Sequence, residues 1–78
     1  MDMLMDTQNF AHNLKLHRKA RANLSQRRMA AILGISRSCY ARYERGTRMP
    51  PAWVAAKAAR YFDVTVEELF EKEVKPHE

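Results

Sequence analysis

Residues 24–46 read LSQRRMAAILGISRSCYARYERG. Ser25 is a good helix N-cap, because its hydroxyl can accept one of the backbone N–H groups that a helix start leaves unpaired. After it, Met29, Ala30 and Leu33 fall at i, i+1 and i+4, on one helical face. Gly34 can adopt the left-handed conformation that commonly ends a helix. A helix over residues 26–33 is therefore expected. Ile35 supplies an apolar plug, and Ser36 caps a second helix over residues 37–45, stopped by Gly46. In that second helix the spacing turns Tyr40 and Tyr43 inward and leaves Arg37, Ser38, Ala41, Arg42 and Arg45 on the outer side.

Working outward, a first helix is expected from about Thr7 or Gln8 to about Arg21, with Asn23 as its end signal. Phe10 and Leu14, with Leu16 or Ala20, give it apolar contacts, but no single register stands out. On the other side, Pro50 and Pro51 suit a helix start, since the donor that proline lacks would be unpaired there anyway. The fourth helix runs from about Pro51 to Phe62, with Val54, Ala55, Ala58, Ala59 and Phe62 as its core face. Thr65 and Glu68 have capping-box spacing and open a fifth helix reaching about Lys72. No strand-like alternation is sustained, so the fold is expected to be all-α, a compact bundle of five helices. Residues 1–6 are expected to be a disordered N-terminus, 7–72 the domain, and 73–78 a frayed tail.

The 78 residues suffice for one domain. Cys39 is alone, so no intrachain disulfide or multi-thiolate metal site can form, and His12, His17 and His77 have no ligand spacing. No apolar run approaches the roughly 20 residues of a membrane span. Met1 to Asn9 carries Asp2 and Asp6 and lacks a basic, then apolar, leader pattern, so a cytoplasmic location is expected. No nucleophile–base pair, carboxylate pair or phosphate loop is visible, which argues against an enzyme, and no cofactor is implied. The net charge of +5 is unevenly spread: residues 14–48 hold ten Lys and Arg against Glu44 alone, a net +9, while both flanks are acidic. A continuous basic block within a foldable segment suits a polyanionic partner. Glu44, isolated within it, would repel such a partner if free and so calls for an internal one.

Two short helices joined by a tight glycine turn form a helix-turn-helix, whose second helix fits the DNA major groove. Beyond that general motif lies an ordered set: Leu24-Ser25-Gln26, Met29-Ala30, Leu33-Gly34-Ile35-Ser36-Arg37-Ser38, Tyr43-Glu44-Arg45-Gly46, Arg48 and Pro50, then Lys57-Ala58-Ala59 and Val64-Thr65-Val66-Glu67-Glu68-Leu69. Over about residues 14–70 it resembles the lambda-repressor-like, Cro-like (XRE) family of regulators. The resemblance implies a five-helix fold and binding to a double-stranded, partly palindromic DNA operator, usually as a dimer. It implies that Arg37, Ser38 and Arg42 read bases, that Gln26 holds a phosphate, and that Tyr43, Arg45, Thr47 and Arg48 clamp the DNA backbone. Two features depart from the family pattern. Tyr40 stands where an aliphatic core residue is usual, so its hydroxyl needs a partner. Arg18 and Lys19 compete to be the basic partner of Glu44.

The reading is therefore a sequence-specific transcriptional regulator, a repressor or autoregulator. It could belong to a phage, a restriction-modification operon or a toxin–antitoxin pair. The alternative is an antitoxin or adaptor that uses the same fold to bind a protein. Trp53, Tyr61, Val64, Val66 and Phe70 lie outside the basic block and form the expected homodimer interface.

Overall fold

A computed structural model describes residues 3–72. Five α-helices are present and no strand occurs among the described residues: α1 (Met3–Ala20), α2 (Gln26–Leu33), α3 (Arg37–Arg45), α4 (Ala52–Phe62) and α5 (Val66–Phe70). The bounds of α2 and α3 are those the caps imply. Ser25 Oγ accepts from the Arg28 amide at 3.0 Å and Ser36 Oγ from the Cys39 amide at 3.1 Å. Gly34 and Gly46 end the two helices at φ +76° and +75°. At Gly34 the chain closes with two reversed bonds, Gly34 N–H to Ala31 O and Ile35 N–H to Ala30 O, which satisfy carbonyls that α2 would otherwise leave open. Lys57 Nζ reaches from α4 to a further one, Leu33 O, at 3.3 Å.

Two ends differ from expectation. α1 begins at Met3, so residues 3–6, expected to be disordered, are helical; residues 1–2 lie outside the described part. Met and Leu are good helix formers, no stop signal separates them from Thr7, and Asp6 sits in the first turn where the helix dipole favours an anion. α5 stops at Phe70 rather than near Lys72. Its last carbonyls are taken by α1 instead of by another turn: Asn13 Nδ2 lies within 3.3, 3.0 and 2.7 Å of the Glu68, Leu69 and Glu71 oxygens, and Asn9 Nδ2 donates to Phe70 O at 3.3 Å. The tail expected over residues 73–78 lies outside the described residues.

One apolar core joins all five helices: Phe10 and Leu14 of α1, Met29, Ala30 and Leu33 of α2, Tyr40 and Tyr43 of α3, the five expected residues of α4, and Leu69 of α5. Ala30 is buried in the core, and Ile35 is half-buried against it. α1 packs on α3 and α5 with a face that is partly polar. Asn13, His17 and Arg18 are buried there, the His17 ring stacked on Phe62 at 5.3 Å. Thr65 and Glu68 form the expected capping box at the start of α5.

Candidate nucleic-acid interface

The outer side of α3 carries the candidate base readers. Tyr40 and Tyr43 fix its inner side in the core, so Arg37, Ser38 and Arg42 are all exposed. Helical spacing sets Ser38 and Arg42 one turn apart on one face, with Arg37 beside them at the N-terminal end. The Ser38 hydroxyl lies 3.4 Å from that of Ser36 and keeps capacity for a second partner. Among the described residues no carboxylate of α3 interrupts this face, because the one acid of the helix is withdrawn from it.

That acid is Glu44, whose side chain is only 3% exposed. Arg18 Nε donates to its Oε2 at 2.6 Å and Arg18 Nη2 to its Oε1 at 3.0 Å, a two-pronged pairing that ties α1 to α3. Arg18 Nη1 also donates to Leu24 O at 2.5 Å, fixing the chain just before α2. Lys19, the rival partner, is exposed. The Tyr40 hydroxyl donates to Oε2 of Glu44, and Gln26 Nε2 to Oε1 at 3.0 Å. Burial pushes the Glu44 carboxyl upward, but the donors on Arg18, Tyr40 and Gln26 outweigh it and hold the pKa below its ordinary value. The carboxylate is therefore charged and compensated from within.

Gln26 stands half-exposed at the first position of α2. One N–H of its amide goes to Glu44; the other, with the first-turn backbone amides of α2, can meet an anion. Arg45 and Arg48 are exposed at and after the end of α3. Tyr43 is 3% exposed, and its hydroxyl accepts from Cys39 Sγ at 3.4 Å, which leaves its own proton to donate. Burial and the Cys39 contact raise its pKa, against the opposing charge of Arg48, so the phenol stays protonated. Thr47 has a different role in this state. Its N–H and its hydroxyl both donate to Arg42 O, at 3.1 and 3.2 Å, so it caps α3, and a phosphate would receive a donor from it only after the hydroxyl turns.

The expected interface residues divide. Trp53 is 55% exposed and Val66 37%. Phe70 stacks on Phe10 at 5.0 Å, and Val64 packs against the core. Tyr61 lies under Arg21, whose guanidinium is 4.7 Å from the ring centre and whose Nη1 donates to Tyr61 O at 2.8 Å. Among the described residues, no group of three His, Cys, Asp or Glu side chains is placed to hold a metal, and no helix is long and apolar enough to cross a membrane.

Sequence reasoning missed the Asn9 and Asn13 contacts to α5, which have no local signal. It also missed the link from Tyr40 to Glu44, although these stand at i and i+4 on one helix, a spacing that brings side chains together. Comparison with known proteins gives a family match and structural matches. A family model described as helix-turn-helix matches residues 14–69. The crystal structure of the restriction-modification controller protein C.AhdI from Aeromonas hydrophila is similar, with a TM-score of 0.73 and 34% identity over 83% of this chain and 97% of that one. No curated protein matches.

Proposed function

Since this chain belongs to the XRE-type helix-turn-helix family, we propose that it is a transcriptional regulator that binds double-stranded DNA in a sequence-specific way, with α3 in the major groove. The observation that carries this reading is the outer side of α3. Arg37, Ser38 and Arg42 are exposed there on a helix whose other side is locked into the core, and the only nearby carboxylate is buried and paired. Arginine can give guanine O6 and N7 two parallel hydrogen bonds. Gln26, Arg45 and Arg48 hold the duplex by its phosphates, with Tyr43 adding a hydroxyl at the end of α3.

The protein works by occupying an operator and performs no catalysis. Its site is partly palindromic, it binds as a homodimer, and it acts in the cytoplasm. Among regulatory settings, the likeness to a restriction-modification controller protein favours control of a restriction-modification operon over a phage or toxin–antitoxin setting. Selection of bound sequences from a random duplex pool tests the reading. A single enriched motif with two related halves is expected. Recovery of unenriched sequence, or no retained DNA at moderate salt, would overturn it.

A further inference from the structure

The four donors on Glu44 are divided evenly. Each carboxylate oxygen takes one N–H from Arg18 and one bond from a second residue, Gln26 at Oε1 and Tyr40 at Oε2. An ionised carboxylate has about four acceptor sites, so the group is saturated. The torsion that spins a carboxylate is soft and broad, and each further donor of fixed direction narrows it. Tyr40 is suited to this. Its side chain is fully buried, so core packing holds the ring and its hydroxyl points in a fixed direction. Gln26, by contrast, is a long half-exposed side chain at a helix start, held among the described residues by a bond to Glu44 Oε1.

We propose that Tyr40 is a positioning residue for phosphate binding: through Glu44 it presets the Gln26 amide, so that the second N–H of that amide is ordered before DNA arrives. This rests on the reading of Gln26 as a phosphate contact. An aliphatic residue at position 40 would fill the same space and leave Glu44 Oε2 with Arg18 alone. Gln26 would then be ordered only on binding, and ordering one such side chain weakens affinity by roughly 2- to 10-fold.

The test is a double-mutant cycle on the full chain, using the duplex selected above and a mixed-sequence duplex at fixed salt. Tyr40→Phe is expected to weaken both duplexes by roughly 2- to 10-fold in the native background and to have no further effect in the Gln26→Ala background. A hydroxyl that serves only the fold would weaken both backgrounds alike, and that result, or no loss in the native background, overturns the proposal. Tyr40→Leu is expected to repeat the pattern and guards against a defect peculiar to phenylalanine. A measurement without DNA separates this inference from the functional reading: the NMR order parameter of the Gln26 side-chain amide is expected to fall in free Tyr40→Phe. An unchanged order parameter refutes the inference even if the protein binds DNA, and a fall without any duplex binding overturns the reading of Gln26 as a phosphate contact while leaving its link to Tyr40 in place.

Discussion

Arg37 and Arg42 should behave differently from Gln26 and Arg48 when each is replaced by alanine. A base reader contributes to affinity only on the right base, so Arg37→Ala and Arg42→Ala are expected to cost about 1–3 kcal/mol on the selected operator and to blur one position of the motif. Gln26→Ala and Arg48→Ala are expected to weaken all sequences alike. A uniform loss from the arginines of α3, measured by titration on operator and mixed-sequence duplexes, would remove them from the reading role. Glu44 acts on stability as well. Glu44→Ala leaves the Arg18 guanidinium buried without its counter-charge, which costs about 3–5 kcal/mol and is read by urea denaturation. Because the folded-state pKa of Glu44 lies below its unfolded value, its contribution is complete above the unfolded value of about 4.3 and disappears as pH falls through the folded one. The native protein is thus expected to lose this contribution in acid, and Glu44→Ala to show a flatter acid profile. That Glu44 needs an internal partner was legible in the sequence, because it is the one acid in a basic block. Which base supplies it was not: Arg18 and Lys19 are neighbours, and only the rotation of α1 decides between them.

The helices show why that rotation was hidden. α2 and α3 were legible to the residue because each end has its own chemical signal, two serine caps and two left-handed glycines. α1 buries Phe10, Leu14, Asn13, His17 and Arg18, so a good part of its inward face is polar and its apolar periodicity is weak. Asn13 and Arg18 each answer a need elsewhere in the fold, and no window of local sequence contains that need. Asn13 is the clearest case, since α5 has only five residues and its final carbonyls rest on the Asn13 amide. Asn13→Leu keeps the branched skeleton and removes the donors, at an expected cost of about 1–3 kcal/mol. Hydrogen exchange should show protection lost first in α5, and uniform loss across all helices would argue against this local role. At the other kind of helix end, a Cβ on Gly34 would find ordinary space, its nearest neighbour being Lys57 Nζ at 3.6 Å, so the strain of substitution is torsional. Gly34→Ala is expected to cost about 1–2 kcal/mol, and Gly34→Val more because it is β-branched. At about 4–8 °C per kcal/mol for a domain of this size, thermal melting resolves the two.

The whole molecule separates its basic block from its exposed apolar groups. The net +9 of residues 14–48 contrasts with acidic flanks, and exposed Trp53 and Val66 lie in the C-terminal flank. A subunit that meets roughly four or five phosphates should give a slope of about −4 in log K against log salt, and twice that as a dimer. One reading helix spans too few base pairs to single out a site among genomic competitors, whereas two helices about 34 Å apart, one DNA turn, can do so. A two-fold pair of subunits matches the symmetry of a palindromic site, and it needs a contact surface away from the reading face. Trp53 and Val66 supply free apolar area for it, while Tyr61, Val64 and Phe70 are already engaged with their own chain and can add only their outer edges. Trp53 should therefore dominate, since an exposed tryptophan is the type of side chain that anchors an interface. Sedimentation at micromolar concentration is expected to give a dimer for the native chain and a shift toward monomer for Trp53→Ala, with the helical circular dichroism unchanged. Phe70→Ala, by contrast, is expected to lower the melting temperature, because it removes the ring stacked on Phe10. The salt slope links the two measurements. Where Trp53→Ala is monomeric, its slope should fall to about half the native value, because each binding event then displaces the counterions of one subunit. A native chain that stays monomeric and binds one half-site tightly, with the single-subunit slope, would refute the dimer.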